Sequence, residues 1–271
     1  MNIAFFKKPI GKRLFILAVL GGILLALYFK LTNFNKDNRD LSVAILEDLG
    51  TLEIETIFHV LPALVFALPF LLFILNTGDF VYSEYETKGV IVLTRLQDKR
   101  IWYWRMMFNI FKLSFFYLAI LFISFIFTGI LLGYSVEFTY LKEVLFLYIL
   151  SLLTWTAFSV LSNVVCFITR SGLGYVSVIT IYFVSLFSSA FIYDVFPTGQ
   201  KWIIWFPTSQ QIISWHDFSL NLGESAFRLG SYTLEFSFVY LFVLNIIIGV
   251  WLYIVIHRYE SYEPSGNMSS T

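Results

Sequence analysis

Long apolar runs separated by short polar segments make up most of the chain, and their lengths predict how often it crosses a membrane. A helix needs about 20 mostly apolar residues to cross roughly 30 Å of hydrocarbon at about 1.5 Å per residue. The runs that meet or approach this length are Leu14 to Phe29, Ile57 to Leu75, Leu113 to Tyr134, Val144 to Ile168, Leu173 to Tyr193 and Phe236 to Ile256. The pattern predicts an all-α integral membrane protein with six transmembrane helices.

The two ends of the chain are predicted from their polar content. Met1 to Gly11 mixes apolar residues with lysines, which is typical of a short interfacial helix on the inner leaflet, and a frayed terminus is the alternative interpretation. No small-residue cleavage site follows the first run, so we expect it to stay as span 1 rather than leave as a signal peptide. Residues 1–258 are predicted to form a single transmembrane domain, and 259–271 a disordered polar tail.

The segment from Asp194 to Glu235 is too apolar for an ordinary exposed loop. It contains Trp202 to Phe206 and, further on, Ile212 to Trp215, which need apolar surroundings. Short helices that dip into the outer leaflet would supply them. We therefore expect short outer helices before span 6.

The composition is typical of a membrane protein, and the net charge gives no indication of a partner. Of the 271 residues, 58% are hydrophobic and 13% are charged, against roughly 25% charged in soluble domains. The formal net charge is zero, so nothing in it favours a nucleic-acid partner. The chain has a single cysteine, Cys166, which excludes a disulfide within the chain.

The distribution of Lys and Arg predicts the orientation in the membrane. With the N-terminus inside, the inner segments hold about twice as many of these residues as the outer ones, as the positive-inside rule requires. We expect both termini in the cytoplasm and a multi-pass location in a bacterial plasma membrane.

Motifs for familiar chemistry are missing from the sequence. There is no G-x-x-x-x-G-K-[ST] phosphate loop, and none of His59, His216 and His257 begins an H-E-x-x-H zinc motif. The six runs contain no Asp, Glu, Lys or Arg, whereas ion-coupled carriers generally need such groups at membrane depth. We expect no catalytic residue, no metal site and no cofactor in this chain, and energy for any work from a partner.

The fourth and fifth runs carry mildly polar residues that have two interpretations. Small and hydroxyl-bearing residues allow close helix packing in lipid, and they can also line a path for substrate. In the fourth run, Trp155, Ser159, Ser162 and Cys166 recur on one helical face, with Asn163 alongside. The candidates for such a path are Trp155, Ser159, Ser162, Asn163, Ser177 and Thr180. The sequence leaves helix packing and a substrate path as alternatives.

The inner loop between spans 2 and 3, from Asn76 to Lys112, is too long for a turn and too apolar for a linker. It predicts an amphipathic helix with Val90 to Leu93 on one side and basic residues on the other. Those basic residues could anchor lipid headgroups, or the helix could be a docking surface for a cytoplasmic protein, which is the interpretation that we prefer.

This loop carries residues in the order found in a known family. Glu84, Glu86, Gly89, Arg100 and Arg105 stand where permease subunits of the ABC-2 type transporter family commonly have acidic residues, a glycine and basic residues after their second helix. The chain resembles this family in its six spans and its outer excursion as well. The family's proline in the loop is absent here.

The resemblance implies a transmembrane subunit of an ATP-driven exporter. The loop helix would couple to a separate cytoplasmic ATPase subunit, which binds the ATP and Mg²⁺, and a second permease subunit, identical or not, would complete a dimer. The loop helix is expected around Glu84 to Arg100, and the coupling residues carried over are Glu84, Glu86, Gly89, Arg95 and Arg100. An aromatic, weakly polar interior suits an amphipathic or hydrophobic cargo such as a peptide, a drug or a lipid.

Two other classes of function remain open. A membrane immunity or scaffold protein would need no ATPase, and changes in the loop helix would leave its activity intact. An intramembrane enzyme acting through Ser162 or Asn163 would be active as the purified chain alone.

Overall fold

The computed structural model describes residues 9–32, 40–95, 99–137, 139–217, 229 and 232–261. Within these ranges most residues are helical. Its α-helices are α1 Pro9–Thr32, α2 Leu41–Leu49, α3 Val60–Thr77, α4 Phe80–Arg95, α5 Lys99–Leu131, α6 Leu141–Thr169, α7 Gly174–Val195 and α8 Leu234–Ser261. Short 3-10 helices cover Ile54–Thr56, Pro197–Trp205, Ser209–Gln211 and Ile213–Trp215.

Six of the described helices are long and apolar enough to cross a membrane, which confirms the prediction of an all-α multi-pass membrane protein. They cover Gly11–Thr32, Val60–Thr87, Arg100–Leu131, Leu141–Thr169, Gly174–Val195 and Leu234–Arg258. Large apolar side chains such as Ile123, Phe127 and Val239 are exposed along their outer surfaces, where lipid would cover them.

Several helix ends differ from those read off the sequence. α5 has 33 residues and is about 50 Å long, because it begins at Lys99 rather than near Leu113. α8 continues to Ser261, past the expected start of the tail at Tyr259. The expected interfacial helix falls largely on residues 1–8, which lie outside the described part, as does most of the expected tail, at 262–271.

Helix α6 lies at the centre of the bundle and packs against α5, α7 and α8. Close approach elsewhere depends on small residues, as in lipid generally. Where α1 meets α5, a side chain at Gly22 would overlap Ser124 and come within 2.6 Å of the Leu121 carbonyl oxygen. Glycine therefore allows α1 to contact the backbone of α5.

One end of the bundle, here called the α2 end, is closed by α2 and the 3-10 helices. Asp40 is the N-cap of α2 and accepts hydrogen bonds from the backbone N–H groups of Ser42 (3.1 Å) and Thr139 (2.9 Å). The Trp215 indole donates to the Leu52 carbonyl at 2.8 Å, which ties the 3-10 segment to the chain after α2. The short helices expected before the last span are present as 3-10 helices.

Asp48 is a buried carboxyl group at the α2 end. Only 8% of the residue is exposed, and its Oδ2 atom has no hydrogen-bond partner among the residues that the structure describes. Because burial disfavours the charged form, the pKa of Asp48 is raised to about 8. The folded chain therefore holds this group protonated at pH values where an unfolded chain would ionise it.

This burial predicts a pH-dependent stability. The folded pKa lies above the unfolded value of 3.8, so the wild-type chain loses free energy of unfolding as the pH rises from about 4 to 8, by up to about 1.4 kcal/mol per pH unit. Asp48→Asn removes the ionisable group, so its stability advantage over wild type should grow through that window. Denaturation in mixed detergent micelles at several pH values measures the difference.

Asp40→Asn is the matched control. Burial alone would raise the pKa of Asp40, but hydrogen bonds from Ser42 and Thr139 outweigh it and lower the pKa, so this group stays ionised between pH 4 and 8. We expect no growing advantage for Asp40→Asn in that window. A difference between wild type and Asp48→Asn that stays constant with pH would contradict the prediction.

Candidate functional site

The second span is interrupted at Gly78 and Asp79, where α3 ends and α4 begins. A β-carbon at Gly78 would lie 2.6 Å from Cβ of Tyr175 and 2.7 Å from Oγ of Ser162. Only glycine fits between α6 and α7 at this point without displacing them. We call this interruption, Thr77 to Asp79, the α3–α4 joint.

Asn163 of α6 holds the two sides of the joint together. Its Oδ1 atom accepts hydrogen bonds from the backbone N–H groups of Val81 (2.7 Å) and Tyr82 (3.2 Å), which are donors in the first turn of α4. Its Nδ2 atom donates to the Thr77 carbonyl at the end of α3 (3.3 Å). One fully buried side chain thus bonds to backbone groups at both helix ends, which have no partner within their own helices.

Ser159, one turn earlier on α6, adds to the same contact. Its hydroxyl donates to the Thr77 carbonyl at 3.3 Å, and its own carbonyl accepts from Asn163 Nδ2 at 2.8 Å. A polar patch on the second half of span 4 is therefore directed at the end of α3. The polar face noted in the sequence serves this contact.

Aromatic rings fasten the first two turns of α4 to its neighbours. Tyr82 and Tyr85 contact Phe167 of α6 edge-to-face, with ring centroids 5.3 and 5.4 Å apart. Tyr85 also meets Trp102 of α5 at 6.1 Å. Such pairs contribute about 0.5–1.5 kcal/mol each beyond their buried area, so they hold α4 against α5 and α6.

The expected coupling residues fall on two helices rather than one. Glu84 and Glu86 lie on α4, the first buried and the second exposed. Gly89 and Arg95 also belong to α4, although the side chains of 88–99 lie outside the described part. The expected single helix to Arg100 is wrong, because α4 ends at Arg95 and Arg100 is exposed on the first turn of α5.

The structure places the six candidates for a substrate path in different surroundings. Ser162, like Ser159 and Asn163, is buried at the joint, and no described residue forms a hydrogen bond with its hydroxyl. Ser177 and Thr180 are exposed on α7, and the Thr180 hydroxyl donates to the Val176 carbonyl of its own helix. The structure does not bring these two together with the residues of α6, and a substrate path stays a prediction.

Trp155, the remaining candidate, belongs to a second polar contact that the sequence reasoning missed. Its indole donates to Oε1 of Gln211 at 2.9 Å, and Nε2 of Gln211 donates to the Tyr182 hydroxyl at 2.5 Å. This contact links α6 and α7 to the 3-10 helices of the α2 end. The sequence feature that could have indicated this contact is the polar run from Thr208 to Gln211 inside an apolar segment.

No family model, curated protein or solved structure matches the chain. Among the described residues there is also no group of three or more His, Cys, Asp or Glu side chains that could hold a metal ion.

Proposed function

We propose that the chain is the transmembrane subunit of an ATP-driven exporter of the ABC-2 permease type, with an amphipathic or hydrophobic cargo. The observation that supports this proposal best is the hydrogen bonding of Asn163, on span 4, to the first turn of α4. A helix at one end of the bundle is thereby joined to a buried side chain in the last third of a transmembrane helix.

In this proposal a cytoplasmic ATPase subunit binds the end of the bundle that carries α4. That end has the exposed side chains of Glu86 and Arg100, which offer both signs of charge to a partner. ATP and Mg²⁺ are held by the ATPase, and this chain contributes no catalytic group. A second permease subunit, identical or not, completes the path in a bacterial plasma membrane, with both termini in the cytoplasm.

Coupling requires that the ATPase contact α4 differently in its two states, because a ligand shifts an equilibrium only by its differential affinity. A force on α4 would act on α6 through Asn163 and on α5 through Tyr85 and Trp102. Rearrangement of packed helices is a common form of such a switch. In this proposal these contacts carry the movement of α4 to α5 and α6 when the ATPase hydrolyses ATP.

The proposal predicts that charge reversal at Glu86 weakens binding of the ATPase. We expect Glu86→Lys to lower the amount of ATPase that copurifies with the tagged chain by about tenfold, because a charged contact is replaced by repulsion. The measurement is purification in mild detergent after expression with the neighbouring genes, followed by identification of a Walker-motif protein.

Glu137→Lys is the matched control, since Glu137 is an exposed glutamate at the opposite end of the bundle. It should leave copurification unchanged. If wild type brings down no ATPase, and the chain is stable alone, the exporter proposal fails and a membrane immunity or scaffold protein becomes the better interpretation.

A further inference from the structure

A groove of about 590 Å³ opens on the side of the bundle between α5, α6 and α8. It is separate from the α3–α4 joint, and its wall is mostly aromatic and aliphatic. Trp104, Phe111, Ile246 and Tyr253 belong to that wall, and Arg100 lies at one end. We call it the lateral groove.

The depth of the lateral groove follows from α8. The part of α8 that lines it runs from Phe242 to Tyr253, inside a stretch without any Asp, Glu, Lys or Arg. On α5 the lining runs from Arg100 to Phe111, which is about 16 Å of helix. The groove therefore covers about half of a 30 Å hydrocarbon core, the depth of one leaflet.

One closely packed contact forms part of the floor of the groove. The Tyr103 hydroxyl donates to the Gly249 carbonyl at 2.6 Å, and a β-carbon at Gly249 would lie 3.2 Å from that hydroxyl oxygen. α5 and α8 are thus held together behind the groove. The concave surface is built into the helix packing of the single chain.

Charge and length together indicate the occupant. The cationic Arg100 lies at the end of the groove where α5 begins, one helical turn before Trp104, and this pairing of residue types is typical of a membrane interface. The remaining wall is apolar over one leaflet. A transmembrane helix of a second copy would need a contact surface about 30 Å long, so it suits the groove less well than a lipid chain does.

We propose that the lateral groove binds one phospholipid with an anionic headgroup, with one of its two acyl chains along Trp104, Ile246 and Phe111 and its phosphate at Arg100. The proposal concerns the chain by itself and does not depend on an ATPase or on transport. A failed search for an ATPase partner would leave it standing.

Native mass spectrometry of the full chain, released from detergent after addition of palmitoyl-oleoyl phosphatidylglycerol or phosphatidylcholine, tests the proposal. We expect one retained phosphatidylglycerol, favoured about fivefold over phosphatidylcholine by one cationic contact. Ile246→Trp places an indole in the groove and should abolish retention of both lipids. Ile247→Trp, at the next and equally exposed position outside the groove, should retain them as wild type does.

Arg100→Gln tests the contribution of the headgroup contact separately from that of the acyl chain. It should reduce the preference for phosphatidylglycerol to about equality while phosphatidylcholine is still retained. Equal retention by wild type and Ile246→Trp would overturn the proposal. The proposal would also be overturned if Ile246→Trp, but not Ile247→Trp, lost a dimer while lipid retention stayed unchanged. The groove would then be an interface between copies of the chain.

Discussion

Asn163→Leu should lower the free energy of unfolding by about 2–4 kcal/mol and release α4 from the bundle. Leucine has a similar shape but cannot accept from the Val81 and Tyr82 N–H groups, and each buried group left without a partner costs about 1–3 kcal/mol. The Thr77 carbonyl also loses the bond from Asn163 but keeps the one from Ser159. Hydrogen exchange of the α4 backbone, together with denaturation in mixed detergent micelles, measures the two effects.

Asn76→Leu is the matched control for this change. The Asn76 side chain lies near the same joint but donates only to Leu72 of its own helix, according to the contacts that the structure describes. We expect a loss below about 1 kcal/mol and unchanged exchange in α4. Equal effects of the two substitutions would show that Asn163 does not hold α4 in place.

Asn163→Leu also tests the proposed function. If α4 binds an ATPase and Asn163 passes its movement to α6, Asn163→Leu should retain a fraction of the bound ATPase but lose cargo-stimulated ATP hydrolysis. Glu86→Lys should instead lose the ATPase itself. The two variants therefore distinguish docking from coupling.

Gly174→Ala should destabilise the chain by about 3 kcal/mol, although alanine normally stabilises a helix by about 0.5–1 kcal/mol relative to glycine. At this position the new methyl group would lie 2.6 Å from both the Cys166 sulfur and the Ser162 carbonyl oxygen. Because one of these atoms belongs to the backbone of α6, rotation of a side chain cannot relieve the overlap. Denaturation in mixed micelles gives the magnitude.

Gly172→Ala, two residues earlier in the same turn, provides the comparison. The atom within 4 Å of its added carbon is Oδ2 of Asp79, at an ordinary contact distance of 3.6 Å, so we expect a change within about 0.5 kcal/mol. Cys166→Ala should rescue Gly174→Ala only in part, because the contact with the Ser162 carbonyl remains. If Cys166→Ala restored the full stability of Gly174→Ala, the contact with the sulfur alone would account for the destabilisation, and the expected contribution of the Ser162 carbonyl would be wrong.

The loop between spans 2 and 3 shows how far a local pattern can be read. Its apolar and basic residues predicted a helix, and α4 is present. Its ends were wrong: the sequence suggested one helix reaching Arg100, whereas α4 ends at Arg95 and Arg100 belongs to α5. Helix ends depend on caps and on neighbouring helices, so the apolar pattern alone does not set them.

The polar face of α6 shows a different limit. The sequence predicted that Ser159, Ser162 and Asn163 share one face, but helix packing and a substrate path were left as alternatives. The structure places all three at the α3–α4 joint, where Asn163 bonds to residues about 80 positions earlier in the chain. The spacing of residues within one helix cannot predict a hydrogen bond between residues so far apart in the sequence.

The sequence by itself determined that this is an all-α membrane protein with six spans, because a run of apolar residues long enough to cross lipid can satisfy its backbone there only as a helix. The tertiary structure alone decided that Gly78 and Gly174 mark close contacts, that Asn163 joins α4 to the bundle and that Asp48 is buried. These features arise where helices distant in sequence meet, and the distances between their atoms follow from packing rather than from hydrophobic periodicity.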